Sequence, residues 1–382
     1  MKAWPTVALG DLLNRSTEAA VLAPDAEYHE VTIKLWGKGV VSRGKVRGSD
    51  VVSVRRAVRA NQLILSKIDA RNGAIGLVPS ELDGAIVSND FPSFDFRDAR
   101  RCDPAFMGWL VRSTPFVALC KAASEGTTNR VRIKEDRFLA KQIALPPLAE
   151  QQALVARLDA LAEKTRQLEA HLEAAERDAT QAILALHNQL ADGREVALSD
   201  LVELHEDSVP VVLDESYPQV GVRSFGAGLF AKASIAGHET TYRTFNRLYA
   251  DAVVLSQVKG WEGAIALTPP ELVGMFASPE YRTFRCRPGQ AVPSYIGEIC
   301  KTPWFWSLLQ EATRGVGARR ERTRPEQFLN VRLPMPTLEK QLRAVEVFSR
   351  LAALKAKRAA IRAANAALLP ATLERVFSSP LP

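Results

Sequence analysis

Arginine and lysine side chains crowd into two short stretches of this 382-residue chain. The first stretch comprises Arg314, Arg319, Arg320, Arg322 and Arg324, and the second comprises Arg43, Lys45, Arg47, Arg55, Arg56 and Arg59. Arginine and lysine can bond guanine edges, asparagine and glutamine can bond adenine, and glutamate can accept a bond from cytosine. Such stretches favour contact with a nucleic acid, although a solvated protein surface explains a single basic cluster equally well.

Several common catalytic motifs do not occur in the sequence. It has no GxxxxGK[ST] phosphate loop, no GxSxG elbow and no GxGxxG turn between a strand and a helix. The Asn/Asp-Pro-Pro-aromatic tetrapeptide of an amino-methyltransferase is missing, since Leu145 precedes one Pro-Pro pair and Thr268 the other. The four cysteines form no CxxC pair and the five histidines no HExxH-like pair, so no metal site is predicted.

The chain repeats itself. VALGDL, starting at Val7, recurs as VALSDL, starting at Val196, and LILSKIDARNGAIGLVPSEL (63–82) matches VVLSQVKGWEGAIALTPPEL (253–272). Trp36 is matched by Phe225, and Thr114-Pro115 by Thr302-Pro303. Spacing preserved over half the chain predicts a tandem duplication, with one repeat ending and the next beginning near residue 190. A dispersed nuclease site on Asp69 and Glu81 is disfavoured, because the copy of Asp69 is Lys259.

Each repeat has the composition of a mixed α/β domain. Short apolar or alternating runs at 31–35, 62–68, 74–78 and 85–88 are punctuated by Gly, Pro, Asn and Asp, which predicts strands. Gly37-Lys38-Gly39 and Gly226-Ala227-Gly228 are typical of β-turns. Pro104, Pro115 and Pro303 stand where helices begin, since proline at the first helical position lacks only an amide that would be unpaired anyway.

A long helix closes each repeat. From Leu148 to Leu190 apolar residues alternate spacings of four and three without a Gly or Pro, which predicts a heptad seam. The range 338–369 shows the same pattern more weakly, because its seam includes the polar residues Arg358 and Asn365. The residues predicted for the interface of this helix pair are Leu154, Leu158, Leu161, Leu168, Leu172, Val347, Leu351, Leu354, Ile361 and Leu368. Two related helices would pair as an antiparallel coiled coil about a pseudo-twofold axis, giving an α+β fold overall.

The predicted domains are 1–147, the long helix 148–191, a second domain 192–337 and the C-terminal helix 338–376. Between stretches that match in both repeats, the sequences differ at polar and basic positions. KIDARN (67–72) in the first repeat corresponds to QVKGWE (257–262) in the second. Ordinary loop drift would also produce this pattern, but two basic domains held apart by a rigid rod favour DNA half-sites. The residues predicted to contact DNA are Lys45, Arg47, Lys67, Arg71, Asn72, Thr127, Asn129, Arg130, Arg132, Lys232, Arg243, Gln257, Lys259, Trp261, Arg314, Arg319, Arg320 and Arg322.

Composition and charge set broader limits. The formal net charge is +7, which is compatible with an anionic partner without requiring one. No run of eighteen apolar residues occurs, and MKAWPTVALGDLLNR lacks the apolar core of a signal peptide. We therefore expect a cytoplasmic protein without membrane association.

The run from Glu125 to Leu161 resembles the specificity subunits of type I restriction-modification systems, at the end of a target-recognition domain and the start of the central helix. The matching residues are Gly126, Arg130, Leu145, Pro146, Pro147, Leu148, Glu150, Gln151 and Leu158. The second copy is looser, since it keeps Leu338 and Gln341 but has Lys340 where the family has glutamate. The resemblance extends over the whole chain, because the family has two recognition domains, each followed by one helix.

The resemblance implies a non-catalytic subunit in which each recognition domain reads one half of a bipartite DNA site and the helix pair sets the spacer. Two modification subunits would bind the helices and methylate adenine with S-adenosylmethionine. Restriction subunits that use ATP and Mg²⁺ could join them, and a smaller system with a fused methyltransferase and nuclease is a related possibility. A self-contained DNA-modifying enzyme and a coiled-coil adaptor that binds only protein remain alternatives.

Overall fold

A computed structural model describes residues 4–126, 131–313 and 322–378. The chain divides into two compact units, a first unit of Met1–Ala170 with Ile361–Pro382 and a second unit of His171–Ala360. Each unit contains one α/β domain and a part of both long helices. The predicted tandem duplication of a mixed α/β domain followed by a long helix is confirmed.

The first unit combines short strands with short helices. The strands are β1 (Thr6–Ala8), β2 (Leu13–Arg15), β3 (Glu27–Ile33), β4 (Val40–Arg47), β5 (Arg56–Ala57), β6 (Leu63–Leu65), β7 (Ile75–Leu77), β8 (Ile86–Val87), β9 (Ser93–Phe96), β10 (Ser124–Glu125), β11 (Arg132–Ile133) and β12 (Gln142–Ala144). The helices are α1 (Pro104–Leu110), α2 (Thr114–Ala122), α3 (Glu135–Leu139) and α4 (Leu148–Ala191), the last of which continues into the second unit. Short 3-10 turns lie at Leu9–Asp11, Gly48–Asp50, Ala70–Asn72 and Ser80–Leu82.

Two four-stranded sheets form the first domain, in the orders β2-β9-β6-β7 and β4-β3-β8-β5. The pairs β2–β9, β9–β6 and β6–β7 are antiparallel, and β3 pairs with β8 in parallel. All three residues of β6 are buried, as a continuous apolar run at the centre of a sheet requires.

The second unit repeats this plan. Its strands are β13 (Glu195–Ala197), β14 (Val202–Leu204), β15 (Ser208–Pro210), β16 (Ser216–Tyr217), β17 (Val220–Val222), β18 (Leu229–Ala231), β19 (Ile235–Ala236), β20 (Thr244–Arg247), β21 (Val253–Ser256), β22 (Ile265–Leu267), β23 (Phe276–Ala277), β24 (Tyr281–Cys286) and β25 (Arg332–Pro334). Its helices are α5 (Leu198–Leu201), α6 (Pro293–Ile299), α7 (Pro303–Thr313), α8 (Pro325–Leu329) and α9 (Leu338–Phe377), the last of which continues into the first unit, and 3-10 turns lie at Gly237–Glu239, Gly260–Glu262 and Pro270–Leu272. The sheet β14-β24-β21-β22 has the order of β2-β9-β6-β7, and the pair β13–β25 corresponds to β1–β12.

Hydroxyl caps show where the repeats align. The Ser113 side chain accepts a hydrogen bond from the Phe116 amide at 3.4 Å, and Thr302 accepts one from Phe305 at 3.3 Å. Each hydroxyl also donates to the carbonyl three residues earlier. The sequence match of Thr114 with Thr302 was therefore wrong by one residue, because the hydroxyl needed at the N-cap is that of Ser113 in the first repeat.

The two long helices pack antiparallel within each unit. In the first unit Leu158 of α4 lies in the same core as Leu373 of α9, and Asn365 Nδ2 donates to Thr165 O at 2.9 Å. In the second unit Arg358 Nη1 donates to Ala175 O at 3.0 Å. Residues early in α4 thus meet residues late in α9, and later residues of α4 meet earlier residues of α9.

The heptad seam read from the sequence of α9, which includes Arg358 and Asn365, meets α4 with only part of its residues. Val347, Leu354, Ile361 and Leu368 keep between 43% and 47% of their surface exposed, whereas Arg358 and Asn365 bond carbonyls of α4. On α4 the predicted residues Leu158 and Leu172 are buried, Leu154 and Leu161 are partly buried, and Leu168 is exposed. Leu351 of α9 is partly buried. One side of α9 therefore carries apolar side chains that the helix pair leaves half exposed.

Candidate nucleic-acid interface

Three segments of the first unit converge on Lys67. The Lys67 amide donates to Asp90 O at 2.8 Å, and Lys67 O accepts from the Ile133 amide at 2.8 Å. Because β6 and β9 are antiparallel neighbours, the loop after β6 and the loop before β9 lie at the same sheet edge. We call residues 66–73, 88–92 and 131–134 the first loop cluster.

A short 3-10 turn shapes the loop that carries Lys67, Arg71 and Asn72. Ser66 Oγ accepts from the Asp69 amide at 3.2 Å, and the turn Ala70–Asn72 ends at Gly73, whose φ is 77°. A left-handed residue at this position favours glycine. The loop therefore projects Arg71 and Asn72 from a fixed backbone.

Charged side chains of the first loop cluster have partners within the protein. Lys67 Nζ lies 2.9 Å from Glu135 Oε1, whose other oxygen lies 2.6 Å from Arg15 Nε. Arg132 Nη1 lies 2.6 Å from Asp90 Oδ1, with about half of the Arg132 side chain exposed. Glu135 is largely buried, so Lys67 supports the loop through this pair, whereas Arg132 is held in place with donors left over for a ligand.

The second unit builds the same framework with different side chains. The Gln257 amide donates to Glu280 O at 3.0 Å, and Gln257 O accepts from the Thr323 amide at 2.8 Å. Arg322 Nη1 lies 3.0 Å from Glu280 Oε2, as Arg132 lies beside Asp90. We call residues 256–263, 278–282 and 322–324 the second loop cluster.

The central loop of the second loop cluster, residues 256–263, repeats the local geometry of residues 66–73 in the first loop cluster. Ser256 Oγ accepts from the Lys259 amide at 3.3 Å, and the turn Gly260–Glu262 ends at Gly263, whose φ is 79°. A Cβ atom on Gly263 would lie 2.5 Å from the Trp306 ring, so only glycine fits there. Gln257, Lys259 and Trp261, all predicted to contact DNA, therefore occupy the positions that Lys67, Asp69 and Arg71 hold in the first repeat.

Other predicted contact residues lie apart from these clusters. Lys45 and Arg47 are exposed at the end of β4 remote from the β3–β4 turn, and Lys45 Nζ lies 3.7 Å from Glu27 Oε2. At about 3.3 Å per residue, that end is roughly 20 Å from the turn. Lys232 follows β18 and Arg243 precedes β20, and both are exposed. Outside the described residues are Thr127, Asn129, Arg130, Arg314, Arg319 and Arg320.

The cysteines are buried within the domains. Burial raises the pKa of Cys102, Cys120 and Cys286 to about 12, and it also raises the pKa of Cys300. These thiols therefore stay protonated, which makes them poor nucleophiles and poor metal ligands. Across the described ranges, no three His, Cys, Asp or Glu residues are grouped so that they could hold a metal ion. Nor does any helix there combine the length and the apolar composition needed to span a membrane.

Sequence reasoning missed the acids that orient the basic residues, Asp90, Glu135 and Glu280. It also matched Trp36 with Phe225 without assigning either to a site. Both aromatic residues lie in turns bonded to the loop clusters, since the Trp36 amide donates to Asn72 O and the Phe225 amide to Glu262 O. The aromatic-Gly-x-Gly pattern in both repeats was the available signal.

No protein-family model and no curated protein matches the chain. Solved structures do match it over its full length. The HsdS subunit from Thermoanaerobacter tengcongensis is 20% identical, with a TM-score of 0.57 over 99% of this chain and 97% of that one. A chain from work on complex assembly and conformational transition of the type I R-M system is 20% identical, with a TM-score of 0.66 over 100% and 99%. The type I restriction-modification S subunit from M. genitalium is 12% identical, with a TM-score of 0.49 over 99% and 97%.

The first two likenesses show the fold of this chain, in which two α/β domains are each followed by a long helix. The chain has the fold of an HsdS subunit, the S subunit of a type I restriction-modification system.

Proposed function

We propose that the chain is the DNA-reading specificity subunit of a type I restriction-modification complex. Each domain would read one half of a bipartite site, and the paired helices would set the spacer between the halves. The observation that carries this proposal is the comparison of the two loop clusters. Both use the same backbone bonds at Lys67 and Gln257, yet they present different side chains. One scaffold with two sets of polar side chains suits the reading of two different half-sites.

The chain itself would bind DNA without catalysing its modification. Two modification subunits carrying S-adenosylmethionine would supply adenine methylation, and restriction subunits using ATP and Mg²⁺ could add cleavage. The half-exposed apolar residues Val347, Leu354, Ile361 and Leu368 recur every seventh residue of α9, which supports binding of partner chains along this helix.

Salt-dependent binding of the full chain to duplex DNA is the first test. Each phosphate neutralised by an arginine or lysine steepens the fall of log affinity with log salt by about 0.9, so several contacts predict a steep slope. Affinity that stays flat from low to moderate salt would favour the protein-only adaptor. Methylation or cleavage by the purified chain alone would favour the self-contained enzyme.

A loop graft tests whether the clusters read sequence. Replacing KIDARN (67–72) with QVKGWE (257–262) is feasible because both segments have six residues and end at a left-handed glycine. We expect the methylated sequence in cells to change at one half-site and to stay the same at the other. The control is the reciprocal graft, which should change the opposite half. A graft that altered both halves would contradict modular reading.

A further inference from the structure

One exposed aromatic residue in each repeat has an unfavourable backbone conformation. Trp36 has a φ of 61° and Phe225 a φ of 60°, and their exposed fractions are 71% and 72%. Left-handed φ values are uncommon for residues other than glycine and are outliers for bulky side chains. The same outlier with the same exposure at equivalent positions indicates that the arrangement is retained for a reason.

Hydrogen bonds fix both turns onto the loop clusters. The Trp36 amide donates to Asn72 O at 2.9 Å and Gly37 to Gly73 O at 3.0 Å. In the second repeat, the Phe225 amide donates to Glu262 O at 2.8 Å, and Gly226 donates to Gly263 O at 3.1 Å. Each aromatic residue thus moves with the loop that carries Arg71 and Asn72, or Trp261 and Glu262.

The backbone of these turns does not need an aromatic side chain. A glycine would make the same amide bonds and would adopt the left-handed conformation more readily. The rings also add little to the cores: the closest aromatic ring to Phe225 is Trp306, at an edge-on centroid distance of 6.2 Å. An exposed ring held at the cost of backbone strain points to a contact with something outside the chain.

The surroundings indicate what that partner is. Exposed basic residues stand two positions before each ring, Lys34 in the first repeat and Arg223 in the second, and Lys38 adds a second cation to the first turn. The adjoining loop positions differ between the repeats, as base-reading residues would, whereas the aromatic character is kept. Packing of an aromatic ring against the sugars of a duplex tolerates any sequence, because contacts to the sugar-phosphate backbone carry no sequence information.

We propose that Trp36 and Phe225 are sequence-independent DNA contacts. Each ring packs against the sugars of its own half-site, and it thereby sets the distance between the duplex and the neighbouring reading loop. This inference rests on the proposed function. It explains why two domains that read different sequences keep the same exposed ring.

Glycine variants provide the test, because glycine suits the turn. With the full chain and a mixed-sequence duplex, we expect Trp36→Gly and Phe225→Gly each to weaken binding about tenfold, because the apolar surface of one ring is no longer buried against the DNA. Trp36→Phe should keep most of the affinity. The slope of log affinity against log salt should stay unchanged, because no phosphate contact is lost.

Stability and a matched control separate this role from a structural one. Thermal unfolding of the glycine variants should occur at the same or a higher temperature, since backbone strain is relieved. Leu213→Ala removes an exposed apolar side chain that is 64% exposed and should leave DNA affinity unchanged. Glycine variants that bind DNA as well as the wild type would overturn the inference, and a defect confined to protein assembly would show that the rings contact a partner chain. If the wild type itself fails to bind DNA, both this inference and the proposed function are overturned.

Discussion

The two loop clusters share a backbone and differ in how their central side chain is held. Lys67 is paired with the largely buried Glu135, whereas Gln257 Nε2 donates to Pro279 O at 3.4 Å. The equivalent of Glu135 in the second repeat is Pro325, which begins α8 and has no charge to offer. Side chains in these loops can therefore change together with their supporting residues while the main-chain bonds remain. Duplication of this framework allows one half-site to diverge without loss of the fold.

A second comparison lies where the long helices meet the domains. In the first unit the Phe377 ring lies 5.8 Å from Phe106, edge-on. In the second unit the equivalent pair is polar, since His187 Nδ1 and the Tyr295 hydroxyl are 2.7 Å apart. His187 is fully buried, and its ring also lies 5.0 Å from Trp304. Phe377 in the first unit therefore has no titratable group, whereas the equivalent residue of the second unit, His187, can be protonated.

The largest effect should come from a feature that the units share, the buried glutamine at the start of each long helix. Gln151 Oε1 accepts from the Asp103 amide, and Gln151 Nε2 donates to Arg101 O and Pro146 O. Gln151→Ala would leave three main-chain groups without this partner, and each buried group left unpaired costs about 1–3 kcal/mol. We expect the free energy of unfolding of the first unit to fall by at least about 3 kcal/mol, measured by hydrogen exchange in urea.

The second unit supplies the matched variant. Gln341 accepts from the Val292 amide and donates to Gln290 O and Pro336 O, so Gln341→Ala should cost a similar amount in the second unit. Gln152→Ala, at an exposed position of α4, should change stability by less than about 0.5 kcal/mol. Unequal effects of the two buried substitutions would show that the two repeats are not equivalent where the long helix begins.

Features encoded by local spacing could be predicted from the sequence. The duplication, the helix starts at Pro104 and Pro303 and the turn at Gly37-Lys38-Gly39 each depend on neighbouring residues. Only part of the packing face of α9 could be predicted in the same way, because the seam read from the sequence contains residues that bond α4 and residues that stay half exposed. Many of its residues are alanines, so several faces of the helix are similarly apolar, and the domains and Asn365 decide which face meets α4.

The candidate site was predictable only in part for the same reason. The difference between KIDARN and QVKGWE pointed to two loops that occupy equivalent places in the two clusters, with matching backbone bonds at Lys67 and Gln257. That these loops contact DNA stays a prediction. The ion pair of Lys67 with Glu135 joins residues far apart in the sequence, and no local sequence pattern predicts it. The roles of Thr127, Asn129, Arg130, Arg314, Arg319 and Arg320 stay predictions.

The smaller expected effect concerns a feature that differs between the units, the dependence of the stability of the second unit on pH through His187. Burial lowers the pKa of His187 to about 4, against the opposing effect of the Pro334 carbonyl, whereas an unfolded histidine titrates near 6.5. Between pH 6.5 and 4 the unfolded state therefore binds more protons than the folded one. The contribution to stability is complete above about pH 6.5, falls by about 1.4 kcal/mol per pH unit as the pH drops, and reaches a loss of about 3 kcal/mol near pH 4.

Replacement of the polar pair by its apolar counterpart should remove this dependence. His187→Phe with Tyr295→Phe copies the Phe377–Phe106 pair of the first unit. We expect the free energy of unfolding of the second unit, measured by hydrogen exchange in urea, to lose most of its slope against pH between 4 and 6.5, because the group that titrates differently in the two states is gone. His171→Phe, at an exposed position of the same helix, should keep the slope. An unchanged slope in the double variant would show that other side chains cause the pH sensitivity of the second unit. The His187–Tyr295 pair would then contribute no more pH dependence than the Phe377–Phe106 pair.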